Sequence, residues 1–275
     1  MRIVSTFYEV VSPKIKDNYK IVHFSDIHYE KGYNLKRLEK LLKKTKEIKP
    51  DFICITGDLI DTPNSLNDLY DHNVFRKFLK DLGSICKVII SIGNHEFEMP
   101  EFNLKKYKEV ISKFENIENV IVLDNDMYKT SNISFTGYNP TYSYYKAEEK
   151  DSSLLIKDFN EKNFSFDDNY QILLIHTPKD LLKDKIYLKT NLSEVDLILS
   201  GHTHGGMVPL FIPGHFGFIA PSKKLFPSCV RGKLVRDKTT LIICSGIVRL
   251  SNVSELHQFN DIYAMHVNII SLRKQ

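Results

Sequence analysis

The sequence predicts an α/β sandwich with mixed β-sheets flanked by helices. Three observations carry that expectation. Short β-branched runs alternate with stretches of helical period, polar residues directly follow several of those runs, and 275 residues with 42% hydrophobic and 26% charged side chains can bury a sizeable core. The same composition excludes wholesale disorder. No repeat, low-complexity tract or linker interrupts the chain, so residues 1–275 read as a single domain.

In chain order, YKIVHFS (19–25) is the first buried strand. LKRLEKLLKKTKEI (35–48) follows, with apolar residues recurring at three- and four-residue steps. DFICIT (51–56) and CKVIIS (86–91) are the next strands, with a second amphipathic helix over 65–82 between them. Strand–helix–strand alternation implies parallel pairing with right-handed crossovers. Residues 119–137 read as a meander. YQILLI (170–175), VDLILS (195–200) and TTLIICS (239–245) read as further buried strands, within or before a final strand block over 233–268. The charged segment 139–168 reads as an insertion: either a solvated excursion or a lid whose Tyr142, Tyr144 and Tyr145 stack on a substrate ring.

Charge and cysteine usage narrow the classes. The formal net charge is +4, and 31 of the 38 basic residues are Lys, scattered rather than gathered. A nucleic-acid partner is therefore not expected. Cys54, Cys86, Cys229 and Cys244 have no CxxC spacing, which argues against a zinc knuckle and a thioredoxin-like pair. The chain starts without a signal-peptide core and has no apolar stretch of about 18 residues, so the expectation is a cytoplasmic protein without a transmembrane segment. The apolar loop MVPLFIPGHFGFIAP (207–221) reads either as packed on the core or as a wall for an apolar or lipid-linked substrate or a peripheral membrane contact.

The chemistry sits at the strand ends. Asp26 and His28 follow the first strand, Asp58 and Asp61 the second, and Asn94 and His95 the third; His176, then His202 and His204, follow two later ones. In open α/β sheets, ligands bind beyond the carboxyl ends of the strands. Imidazole and carboxylate together suit Zn, Mn or Fe. Asp26, His28, Asp58, Asn94, His176, His202 and His204 make seven candidate ligands, too many for one tetrahedral ion and suited to two ions sharing a carboxylate. No GxSxG or GxxxxGK[ST] motif is present, which argues against serine-hydrolase and P-loop chemistry.

The blocks SDIH (25–28), GDLID (57–61), GNHE (93–96), IHTP (175–178) and SGHTHGG (200–206) resemble, in order and spacing, the five motifs of the calcineurin-like metallophosphoesterases. A given tetrapeptide arises by chance in a chain of this length with odds of about 0.2%, so five in order exclude coincidence. The trailing glycines resemble a bacterial GHTHGG branch related to UDP-2,3-diacylglucosamine hydrolases and other phosphodiesterases. Met207 stands where that branch carries Gln, and the C-terminal block from Gly246 departs from its usual ending.

The resemblance implies a metallophosphoesterase-type sandwich with a dinuclear centre at the carboxyl ends of the strands. Asp26, His28 and His204 are then ligands of one ion, Asn94, His176 and His202 ligands of the other, and Asp58 the bridge. The cofactors implied are two divalent ions, with Mn expected and Fe or Zn as alternatives. His95 matches the family's non-ligand histidine, and Asp61 the acid that orients it. The activity implied is hydrolysis of a small-molecule phosphoester, a diester or pyrophosphate before a monoester, by in-line attack of a metal-bridging hydroxide. A nuclease is the alternative within the enzyme class; a catalytically silent protein-interaction scaffold is the alternative outside it. Glu96 reads as a structural hydrogen-bonding group rather than a base. His215 lies near the predicted site, and His23, His72, His257 and His266 match no motif.

Overall fold

A computed structural model describes residues 2–30, 35–97, 102–147, 151–206, 230–248 and 264–275. One sheet runs in the order β1 (Ile3–Ser12), β12 (Met265–Lys274), β2 (Tyr19–Phe24), β3 (Phe52–Thr56), β4 (Lys87–Ser91), β5 (Val120–Leu123). The other runs β10 (Gly232–Arg236), β11 (Thr239–Ile243), β9 (Leu197–Ser200), β8 (Tyr170–Ile175), β7 (Ile133–Tyr138), β6 (Asp126–Lys129). Pairing is parallel from β2 through β5 and from β7 through β8 and β9 to β11, and antiparallel at β12–β2, β6–β7 and β10–β11. Both sheets are mixed, as expected.

Continuous apolar strands arise because both faces of each sheet are covered. Ile21, Cys54 and Ile89 point between the sheets, where they meet Phe135, Ile172, Leu174 and Leu199. Their neighbours Val22, Ile53, Ile55 and Ile90 point the other way, onto α1 (Leu35–Ile48), α2 (Leu69–Gly83) and α3 (Leu104–Ser112) through Leu41, Phe75, Leu79 and Val110. Ile175, Ile198 and Ile243 face outward from the second sheet onto Leu155 and Phe159 of α5 (Ser152–Lys162), Tyr144 of α4 (Tyr142–Lys146) and Ile186 of α6 (Asp184–Tyr187). Each such fully buried aliphatic side chain contributes about 1.5–3 kcal/mol.

Four expectations change. The helix expected over 65–82 is a 3-10 turn, Pro63–Leu66, followed by α2, because the Asp68 carboxylate accepts the Tyr70 N–H at 2.7 Å and starts a new helix. The expected meander at 119–137 divides between the two sheets: β5 joins the first, and Asn125, at φ 58°, turns the chain into β6 of the second. Segment 139–168 is not merely solvated; its described part carries α4 and α5, the crossover that parallel pairing of β7 with β8 requires. Finally, β1 was not foreseen and pairs in parallel with β12 over ten residues. No helix among the described residues is long and apolar enough to cross a membrane.

Two features place the site. Parallel β2, β3 and β4 in one sheet and β8 and β9 in the other end at a common edge, where Gly57 lets the loops meet. At φ +76°, a Cβ on Gly57 would stand 2.6 Å from Gly93 Cα and 2.8 Å from His176 Nδ1. Beneath this edge, His23 is fully buried between the sheets. Its Nε2–H donates to Thr56 Oγ1 at 3.0 Å, and its Nδ1 accepts from Asn268 Nδ2 at 3.3 Å. Burial pushes the His23 imidazole down to about 3 from the usual 6.5.

Gly57→Ala is expected to destabilise by about 1–3 kcal/mol, read as a fall of several degrees in the thermal midpoint; an unchanged midpoint contradicts the close approach. Because His23 is neutral when folded and gains a proton below pH 6.5 when unfolded, its contribution is present above pH 6.5 and is lost as pH falls toward about 3. Urea unfolding at pH 7 and pH 5 should show a drop in stability about 2 kcal/mol smaller in His23→Gln than in the wild type. Equal drops would place the acid sensitivity elsewhere.

Candidate metal centre

The SDIH loop continues alongside the GDLID loop after β2 and β3 end. Asp26 N–H donates to the Gly57 carbonyl at 3.2 Å, His28 N–H to Asp58 at 3.0 Å and Tyr29 N–H to Leu59 at 2.9 Å. Five of the seven sequence-predicted ligands hold left-handed backbone angles: Asp26 (54°), His28 (45°), Asp58 (52°), His202 (68°) and His204 (49°). Non-glycine residues there cost roughly 1–3 kcal/mol each and persist only where the surroundings over-determine them. Here the surroundings are the hydrogen bonds between loops.

Asp58 is the hub. Its side chain is buried, its Oδ1 accepts the His95 N–H at 2.9 Å, and its Oδ2 lies 2.9 Å from His176 Nε2, 3.6 Å from His28 Nε2 and 4.0 Å from His95 Nε2. On the facing side, both Asp26 carboxylate oxygens accept the His202 N–H, at 3.1 and 3.2 Å, and Oδ1 lies 3.6 Å from His204 Nε2.

Three imidazoles use Nδ1 on the main chain. His176 Nδ1–H donates to the Thr56 carbonyl at 2.7 Å, His204 Nδ1–H to Val248 at 2.7 Å and His95 Nδ1–H to Asp61 at 2.5 Å. Each Nε2 is thereby turned toward the cluster, the tautomer and orientation that metal-binding imidazoles need. Burial, with His95 beside it, pushes His28 well below the usual histidine value despite Asp58, and burial lowers His204 as well. Burial alone would raise the Asp58 carboxyl, but His176 and His95 hold it well below the carboxylate range. His176 is the counterpart: burial opposes its charge, yet Asp58 raises it to about 9.

Asp26, His28 and His204 form one group whose ligand atoms lie within 4.8 Å of one another; Asp58, His176 and His202 form a second, and His28, Asp58 and His95 join them. Asn94, half-buried on the loop that carries His95, has a buried Oδ1 with no hydrogen-bond partner. The Asp61 main-chain carbonyl accepts from His95, and its carboxylate Oδ1 stands 3.4 Å from His28 Nδ1.

Sequence reasoning missed the strap Cys244–Val248. Its Ile247 and Val248 N–H groups donate to the Ser25 and Asp26 carbonyls, and its Val248 carbonyl holds His204. These are main-chain contacts, so no side-chain pattern announces them. Met207, His215, His257 and the loop 207–221 lie outside the described residues, as do Cys229 and most of the block after Gly246.

The family model described as calcineurin-like phosphoesterase matches residues 19–206. An uncharacterised metallophosphoesterase of Campylobacter jejuni is 32% identical over 241 residues, 86% of this chain and 56% of that protein. The uncharacterised metallophosphoesterase YkuE of Bacillus subtilis is 30% identical over 201 residues, 70% of this chain and 61% of that protein. The chain thus spans less than two thirds of the length of these relatives. A crystal structure of a dimetal phosphatase from Danio rerio superposes with a TM-score of 0.46 at 13% identity, covering 84% of this chain and 88% of that one. The span matched by the family model runs from β2 to the second glycine after His204, taking in every loop that carries a side chain of the cluster, and the chain belongs to the calcineurin-like phosphoesterase family.

Proposed function

We propose that this chain is a metal-dependent phosphoester hydrolase whose centre holds two divalent cations. The observation that carries this reading is the position of Asp58: it belongs to a three-residue group with His176 and His202 and lies 3.6 Å from His28 of the Asp26–His28–His204 group. One carboxylate thus stands between two donor sets. The donors fit the cofactor: imidazole Nε2 atoms facing the cluster, carboxylates, and the orphaned Asn94 Oδ1 are ligands for Mn, Fe or Zn. Asp26, His28 and His204 would hold one cation, Asn94, His176 and His202 the other, and Asp58 would serve both, with Mn expected. Cations bound there would supply charge neutralisation at phosphorus and activation of a water.

The chain's own contribution is orientation and one proton. His95, held through Nδ1 by the Asp61 carbonyl, keeps Nε2 at the rim of the cluster 4.0 Å from Asp58 Oδ2, where its doubly protonated form would give a proton to the leaving oxygen. The substrate is a small-molecule phosphodiester or pyrophosphate before a monoester, a preference that rests on the resemblance of SGHTHGG to the diesterase branch.

With Mn²⁺, the protein should hydrolyse bis-p-nitrophenyl phosphate faster than p-nitrophenyl phosphate. Asp58→Asn should abolish turnover, and His95→Ala should lower kcat by about 10²–10⁴-fold. Silence of the wild type with Mn²⁺, Fe²⁺ and Zn²⁺ on both substrates would favour the scaffold alternative. A second expectation concerns pH. His176, raised to about 9, carries a proton at pH 7 that a cation must displace, so metal affinity should rise with pH and level off above about 9. Calorimetry at pH 7 in buffers of different ionisation enthalpy should read about one proton released per protein; no release would mean that His176 is already neutral.

A further inference from the structure

We propose that Glu96 is a positioning residue that sets Asp58 for cation binding by clamping the loop after β3 to the loop after β4. Glu96 is completely buried. Its Oε1 accepts the N–H groups of Leu59 at 2.8 Å and Ile60 at 3.3 Å, and its Oε2 accepts those of Asp58 at 3.1 Å and Gly93 at 2.8 Å. Both oxygens are therefore taken up by main-chain amides, which leaves no role as a base.

Three successive amides, from Asp58 to Ile60, converge on one carboxylate. The chain permits this because Gly57 (φ 76°) and Asp58 (φ 52°) both lie in the left-handed region, forming the anion-cradling turn that consecutive N–H groups can make. Charge-assisted bonds of this kind are stronger than neutral ones. The clamp closes from the other side too. Asp58 Oδ1 accepts the N–H of His95, the residue preceding Glu96, so each loop's carboxylate grips the other loop's main chain. With Oδ1 so engaged, Oδ2 is the oxygen that faces His28, His95 and His176. The amides that Glu96 grips include that of Asp58 itself and that of Gly93, next to Asn94. Loosening them displaces one proposed ligand on each loop.

The inference rests on the proposed metal role of Asp58, and its test reads metal binding directly. In Glu96→Gln one oxygen becomes an amide that cannot accept from the main chain. Titration calorimetry of the full chain should show Mn²⁺ affinity falling at least tenfold, while far-UV circular dichroism and KM at saturating Mn²⁺ stay within twofold of the wild type. Glu96→Asp keeps the charge but shortens the reach, and should lose several-fold in affinity. Wild-type Mn²⁺ affinity in Glu96→Gln would overturn the proposal; wild-type affinity in Glu96→Asp alone would overturn its geometric basis in favour of charge. Should both variants unfold, amide exchange of the wild type decides. Mn²⁺ should slow residues 57–60 and 92–96 together, and protection of one loop without the other would refute the clamp. A wild-type chain that binds no Mn²⁺ refutes the metal reading itself, whereas Mn²⁺ binding unaffected by Glu96→Gln refutes only the role of Glu96.

Discussion

A carboxylate buried where two sheets end together is the constraint on which this structure depends. Removing Asp58 from water penalises its charged form, and such a group persists only with hydrogen bonds and opposite charge around it. The protein supplies both: the His95 N–H on one oxygen and the His176 imidazole on the other. Those partners come from β4 in one sheet and β8 in the other, so compensating Asp58 requires both sheets to end at a common edge. The left-handed backbone at five clustered residues and the closeness of Gly57 to Gly93 are consequences of bringing so many chain turns to one point.

Fold and site are joined through Thr56, the last residue of β3. Its carbonyl accepts from His176 and from Ser25 Oγ, and its hydroxyl takes the His23 N–H from within the inter-sheet layer. The packing that stabilises the sandwich thus ends in a polar layer that fixes an imidazole of the cluster. A fold held mainly by hydrophobic burial can in this way deliver sub-ångström orientation at its edge. The strap after β11 does the same for His204 through Val248.

Much of this was legible in the sequence because burial on both faces writes strands as unbroken apolar runs. FICIT, QILLI and LILS could be read at sight, and the polar residues following each marked the edge where the cluster forms. The strand β1 was not legible: IVSTFYEVVS lies at a sheet edge with Phe7 and Val11 exposed, and its partner β12 is some 260 residues away in sequence. Helix α5 carries Lys, Asp and Glu between its apolar positions, so its segment reads as a solvated excursion. Glu96, the Asp61 carbonyl and Val248 escaped full reading for another reason. They act through main-chain amides and carbonyls, which every residue possesses and no motif records.

The central claim is that Asp58 stands between two cations. Anomalous scattering at the manganese edge from crystals grown with Mn²⁺ tests it most directly. The account predicts two peaks flanking Asp58, one among Asp26, His28 and His204 and the other among Asn94, His176 and His202. Absence of any peak at this cluster, or occupancy only elsewhere on the protein, would contradict it.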